Sequence, residues 1–292
     1  MANTGLTDAI VRTRTVDGVA IRYADSGEDP GPTLLMTNPW PESLFAFRRI
    51  WSRLASAARL VAIDLPGFGH SEARDDLFAP TTLSEFLNTL IAEWDLGRPH
   101  VLAPDVGTSA ALFLASRHPD SVTSVTVGSG GAAYPLEVTG VLADMIAAPT
   151  LEGLRDLDIR AGVGTTVDAV ASRTGEPDVW EDYVTSYENG RFAESARYVR
   201  SYPVELQILA ELLPAITTPV QVINAQRDSL VPPSNGQFLH DRLPVSRLIT
   251  LDSGHFPWEE SAHEYGEAVA NWITGGFEDS PGRSQTTEPP ES

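Results

Sequence analysis

An α/β domain built on a mostly parallel sheet is the fold class this sequence predicts, on three observations. Short β-branched runs alternate with stretches of helical spacing along most of the chain. Polar clusters rich in Gly, Pro and Asp follow directly on several strand-like runs, where open α/β sheets build their sites. The length, 292 residues, suits one large domain or a core with a smaller insert, and is ample for a hydrophobic core. Strands alternating with helices require right-handed crossovers, which leave a mostly parallel sheet covered on both faces.

In chain order, Ile10 to Thr15 and Val19 to Ala24 read as two strands around the turn Asp17-Gly18. Thr33 to Thr37 is a short buried strand, and Ser43 to Ala57 has helical spacing. Arg59 to Ile63 is a strand running into Asp64-Leu65-Pro66-Gly67-Phe68-Gly69. Thr82 to Leu96 is a helix with Thr81 or Thr82 as its expected N-cap. His100 to Ala103 is a strand followed abruptly by the helix Gly107 to Arg117, and Ser121 to Val127 is a strand again. Val220 to Ile223 and Leu248 to Leu251 are two more, with helical stretches between and after them.

Two regions break this alternation. Between about Gly130 and Ile216 no convincing strand occurs, and helical segments such as Leu136 to Ile146, Val179 to Glu188 and Phe192 to Tyr202 dominate. The expectation is a helical cap over 131–216 on a core formed by 1–130 and 217–274. From Gly275 to Ser292 the chain holds Gly, Ser, Thr, Pro and charge, which reads as a flexible tail over 275–292.

Composition narrows the functional classes. Apolar residues make up 42% and charged residues 21%, ordinary for a globular protein. There is no cysteine, which removes disulfides, thiolate metal sites and a cysteine nucleophile together. No stretch of 18 apolar residues exists, and Met1 to Thr15 lacks the apolar run of a signal peptide, so the expected location is cytoplasmic. Forty acidic against 20 basic residues give a net charge of −20. Such a surface repels nucleic acid and anionic membranes. The expected partner is a small, largely apolar molecule; a homodimer is left open.

The most informative stretch is Ala103-Pro104-Asp105-Val106-Gly107, where a strand gives way to a helix within three residues. A turn that sharp points its apex residue, Asp105, away from the sheet, and the small Gly107 relieves the crowding, the geometry of a nucleophile elbow. The helix behind it offers unpaired N–H groups that favour an anion. Aspartate is also among the best N-caps, so the elbow alone leaves two readings. The rest of the chain decides. Asn38-Pro39-Trp40-Pro41-Glu42-Ser43, Asp64 to Ser71, Asn224 to Pro232 and Ser253 to Glu260 each follow a strand. The order acidic nucleophile, acid, histidine is that of the α/β-hydrolase triad.

On these residues the chain resembles the α/β-hydrolase fold superfamily from about Val11 to Thr274. More narrowly it resembles the aspartate-nucleophile branch, the epoxide hydrolases and haloalkane dehalogenases. Trp40-Pro41-Glu42-Ser43 is similar to the second half of the branch's His-Gly-x-Pro-Glu-Ser oxyanion motif, with Asn38-Pro39 in place of His-Gly. The resemblance implies Asp105 as nucleophile, His255 as general base and Asp228 as its orienting acid. It implies the backbone N–H groups of Trp40 and Val106 as oxyanion hole, and no metal or cofactor. No carboxylate follows the strand ending at Val127, where Gly128-Ser129-Gly130-Gly131 stands, so the acid is expected at Asp228.

A carboxylate nucleophile has a chemical consequence. Attack on an ester carbonyl would give an anhydride, more reactive than the starting material. Attack on an sp³ carbon gives an alkyl ester, stable enough to be an intermediate, so Asp105 points to an epoxide or an alkyl halide. Dehalogenases of the branch carry Trp or Arg just after the nucleophile, where this chain has Val106. Epoxide hydrolases use cap tyrosines as acids. This cap holds Tyr134, Tyr183, Tyr187, Tyr198 and Tyr202, and Arg197-Tyr198-Val199-Arg200 resembles the late-cap Tyr-Arg segment. The expected activity is therefore opening of an epoxide to a diol through an alkyl ester on Asp105, with Tyr198 as the acid. A haloalkane dehalogenase and a capped esterase or lactonase are the alternatives.

Overall fold

The computed structural model describes residues 6, 11–27, 31–162 and 176–278. Eight strands form one sheet: β1 (Arg12–Val16), β2 (Val19–Asp25), β3 (Thr33–Thr37), β4 (Arg59–Ile63), β5 (His100–Pro104), β6 (Ser124–Gly128), β7 (Val220–Ala225) and β8 (Ser246–Leu251). Their spatial order is β1-β2-β4-β3-β5-β6-β7-β8. The hairpin β1–β2 and the pair β2–β4 are antiparallel, and all later pairs are parallel. β1 starts at Arg12; Ile10, expected in it, lies outside the described residues.

The central strands are near-continuous apolar runs because both faces are covered. Alternation of side chains divides them between two cores. Leu35, Val61, Ile63, Val101, Ala103, Val220 and Val222 face one core, and Leu34, Met36, Leu60, Ala62, Leu102 and Ile223 face the other. Helices Pro80–Glu93 and Gly107–Arg117 cover the first face through residues such as Leu83, Leu87, Leu90 and Leu114. Helices Arg48–Ala55 and Ala262–Asn271 cover the second with Ile50, Trp51, Leu54, Tyr265 and Val269. No helix among the described residues is long and apolar enough to cross a membrane.

Helix Pro80–Glu93 starts earlier than the sequence suggests. Pro80 takes the first helical position, which suits its fixed φ and missing N–H, and Ala79 rather than a threonine precedes it. Thr81 is drawn instead into a bond from its backbone N–H to the Glu205 carboxylate, 2.9 Å. The stretch after Ser43 begins as a tight turn over Leu44–Phe47, with the Ser43 hydroxyl accepting from the Phe45 N–H, before the helix proper starts at Arg48.

In the described part of 131–216 there are helices and no strand: Gly140–Ala147, Glu152–Arg155, Pro177–Ser186, Arg191–Arg200 and Tyr202–Leu212. Val179, Tyr183, Tyr187, Phe192, Tyr198, Tyr202 and Leu206 carry the first core up into these helices. At the other end, a wide helical turn over Trp272–Gly276 brings Phe277, a residue of the expected tail, against His100 and Trp272, with ring centroids 5.1 and 6.4 Å apart. Residues 279–292 of that tail lie outside the described residues.

Candidate active site

Asp105 ends the turn after β5 at φ +51°, a left-handed conformation that aspartate tolerates better than most residues. Its N–H donates to the Gly128 carbonyl at the end of β6 (2.9 Å), and its own carbonyl accepts from the Thr108 N–H (3.0 Å). The turn is crowded. A Cβ on Gly107 would lie 2.4 Å from the Thr37 hydroxyl, and one on Gly130 would lie 2.1 Å from the Asp105 carbonyl oxygen. Glycine at those two places lets β5, β6 and the helix behind Asp105 converge on a strained turn.

The Asp105 carboxylate is held asymmetrically. Oδ2 accepts from the Trp40 backbone N–H at 2.5 Å, and the Val106 N–H also bonds the carboxylate. Oδ1 lies 3.8 Å from His255 Nε2. His255 Nδ1 is 2.8 Å from Asp228 Oδ2, and Asp228 Oδ1 accepts from the Leu230 and Val231 N–H groups, both at 2.9 Å. Asp228 is thereby fixed by two backbone donors and directs one oxygen at the imidazole. The structure thus brings Asp105, His255, Asp228 and the N–H groups of Trp40 and Val106 into one cluster at the carboxyl ends of β3, β5, β7 and β8.

Electrostatics follow from burial. Loss of water around Asp105 pushes its carboxyl up to about 6, with the His255 charge and the Trp40 and Val106 donors pulling the other way. Burial opposes a charge on His255, but its bond to Asp228 and the charges of Asp228 and Asp105 outweigh that, and its imidazole is raised above the ordinary value.

The loop that carries Trp40 is closed by Asn38, which stands where the branch motif has His. Asn38 Nδ2 donates to the Pro39 and Glu42 carbonyls (3.0 Å each), and its Oδ1 accepts from the Leu65 N–H (2.8 Å). An amide can donate on one side and accept on the other at once. Glu42 Oε2 accepts from Trp258 Nε1 (2.8 Å), tying this loop to the segment that carries His255.

Above the cluster lies a cavity of about 290 Å³. Asp105, His255 and Tyr202 open onto it among apolar walls that include Trp40, Phe192, Leu142, Met145 and Val231. Tyr198 is buried, its ring edge-on to Phe68 and Tyr202, and it does not line the cavity. Its neighbour Val199 and Tyr202 line it instead. Burial pushes both phenols above their ordinary range, so both are neutral donors near pH 7. Among the described residues no group of three or more His, Asp or Glu side chains is placed to hold a metal ion.

The comparisons agree with this architecture. Residues 32–262 match the family described as alpha/beta hydrolase fold. A pimeloyl-[acyl-carrier protein] methyl ester esterase of Neisseria meningitidis serogroup A is 25% identical over 272 residues, 86% of this chain and 80% of that protein. A haloalkane dehalogenase of Bradyrhizobium diazoefficiens is 24% identical over 295 residues, 91% of this chain and 94% of that protein. The crystal structure of epoxide hydrolase VrEH1 from Vigna radiata superposes with a TM-score of 0.76 at 17% identity, covering 92% of this chain and all but 1% of that one, a likeness of fold alone. With its elbow, its sheet order and its Asp–His–Asp cluster, the chain belongs to the alpha/beta hydrolase fold family and is a hydrolase.

Proposed function

We propose that this hydrolase opens an epoxide to a diol through a covalent ester on Asp105. The observation that carries the reading is where the two oxygens of Asp105, a residue of the cavity wall, lie: Oδ2 sits on the Trp40 N–H, and Oδ1 is the oxygen 3.8 Å from His255 Nε2. In a serine esterase the donors of the hole receive the substrate's carbonyl oxygen. Here the nucleophile's own oxygen occupies them. That is the arrangement an alkyl-Asp105 ester needs, because Oδ2 is the atom that becomes an oxyanion when the ester is hydrolysed.

In the first step Oδ1 forms a bond to an epoxide carbon as the C–O bond breaks, and the departing oxygen takes the Tyr202 hydroxyl proton. In the second, His255 Nε2 removes a proton from water, and the hydroxide adds to the Asp105 carbonyl carbon. Oδ2 then carries the negative charge against the Trp40 and Val106 N–H groups. Collapse expels the diol oxygen, which takes the proton from His255, and the regenerated Asp105 carboxyl gives up the proton it gained with the added hydroxide, which restores the Tyr202 hydroxyl. Asp228 holds the imidazole in the tautomer that this needs. The apolar cavity supports an uncharged, largely apolar substrate.

The choice of epoxide over halide rests on the donors available. A leaving halide needs N–H groups in the pocket, yet the Trp40 indole N–H is already given to Ser195 Oγ (2.9 Å), and Val106 offers only its backbone. Haloalkane dehalogenation is the second reading, favoured by the likeness to the Bradyrhizobium diazoefficiens protein. Turnover of paired epoxides and bromoalkanes of equal size separates the two. Diol from the epoxides without bromide release supports the proposal, and bromide release without diol contradicts it. Within the epoxide reading, Tyr202→Phe is expected to slow alkylation about 10²–10⁴-fold, the usual worth of a general acid, while Tyr198→Phe has little effect. The reverse ranking would return the acid to Tyr198.

A further inference from the structure

The residue that supplies the oxyanion donor is held from the cap. Trp40 donates its indole N–H to Ser195 Oγ at 2.9 Å, and its ring stacks on Phe192 at 4.9 Å with 19° between planes. Both partners lie on the cap helix Arg191–Arg200. Ser195 is fully buried and spends its own proton on the Phe192 carbonyl (2.9 Å), so its lone pairs are what face the indole. The same loop is bonded by the cap at two further points. The Tyr187 hydroxyl donates to the Glu42 carbonyl (2.9 Å), and the Ser43 hydroxyl donates to Asp182 Oδ1 (2.5 Å). Asp182 is itself anchored on Arg22, 2.6 Å away.

Three residues of the oxyanion loop, Trp40, Glu42 and Ser43, are therefore each tied to the cap, while the Trp40 backbone N–H touches the nucleophile. A backbone donor is useful only where its peptide plane is fixed, because misplacement by a fraction of an ångström loses much of a charge-assisted bond. The indole is the longest lever on that plane, and it is fixed at both its face and its edge. We propose that Ser195 is a positioning residue: through the Trp40 indole, the cap sets the oxyanion hole. The proposal rests on the alkyl-Asp105 reading only for the step in which its effect is felt.

The test uses the full chain as wild type, Ser195→Ala, and Ser195→Ala combined with Trp40→Phe. In protein labelled with ¹⁵N at its six tryptophans, Ser195→Ala should move the Trp40 backbone amide proton upfield, and by more than any other tryptophan amide. That readout does not depend on which reaction is catalysed. In single turnovers, hydrolysis of the Asp105 ester should fall about tenfold in Ser195→Ala, less than the 10²–10³-fold typical of removing a donor outright, with alkylation much less affected. Ser195→Ala alone leaves a buried indole N–H without a partner and should lower the melting temperature. Adding Trp40→Phe removes that orphan and should restore it. A purely structural role predicts that the rate recovers together with the melting temperature; a positioning role predicts that it does not.

An unmoved Trp40 amide, or ester hydrolysis in the double variant restored along with its stability, overturns the proposal. Absence of any Asp105 adduct in His255→Gln would instead sink the proposed reaction. The amide resonance would still decide whether Ser195 positions the donor.

Discussion

Replacing the buried Asp105 carboxylate by its neutral isostere should stabilise the fold, by an amount that grows with pH. Asp105 titrates at about 6 in the folded protein against 3.8 for the unperturbed group, chiefly because burial strips water from its charge. A folded carboxyl that holds its proton more tightly than the unfolded one makes stability fall as pH rises between those two values. The native state thus carries a destabilisation of about 2 kcal/mol at pH 5 and about 3 kcal/mol at pH 8 from this one charge. Asp105→Asn removes it. The amide keeps an oxygen for the Trp40 N–H, and asparagine suits φ +51° as well as aspartate does. Part of the gain is offset because the Asp105 charge also supports protonation of His255. Urea unfolding of both proteins at pH 5 and pH 8 checks this. A stability increment in Asp105→Asn that rises with pH is expected. An increment that is negative, or equal at the two pH values, would refute the argument that burial governs this carboxyl.

Other expectations follow from the same geometry. Gly130→Ala sets a methyl against the Asp105 carbonyl and Thr108, and overpacking of that kind costs about 1–3 kcal/mol; denaturation midpoints should drop, with turnover lost as the elbow shifts. The rate of alkylation, read in single turnovers, should climb with pH through about 6 and level off above it, because only the ionised Asp105 attacks. In His255→Gln, which lacks the charge that holds Asp105 down, that midpoint should move upward. A profile that falls with rising pH would contradict a carboxylate nucleophile.

The sheet and the elbow were legible because their signals are local. Alternation of short apolar runs with helices fixed the strand order in sequence, and the strand-to-helix turn at Asp105 is contained within five residues. The geometry of Asp228 and His255 was legible from chain order and from the turns that follow β7 and β8. The cap was not legible to the same depth. Whether Tyr198 or Tyr202 faces the cavity depends on how helix Arg191–Arg200 is rotated and on where Tyr202–Leu212 begins, and both helices are apolar on more than one side. Period alone does not choose a face there. The place of Val199 in the cavity wall was readable only as a departure from a Tyr-Arg pattern. The bond between Trp40 and Ser195 spans 155 residues, and a serine inside a helix carries no sequence mark of it. Phe277 was read with the polar stretch around it, although a lone aromatic beside Trp272 was the available hint that the body continues.

The central claim, that Asp105 makes the bond and His255 breaks it, is tested most directly by mass spectrometry of His255→Gln after incubation with an epoxide it can accept. The account predicts that the peptide containing Asp105 gains the mass of one substrate and keeps it, and that Asp105→Asn gains nothing. A variant that traps no adduct, together with a first turnover of wild type in oxygen-18 water whose diol is fully labelled, would mean that water attacks the substrate directly and that Asp105 is not the nucleophile.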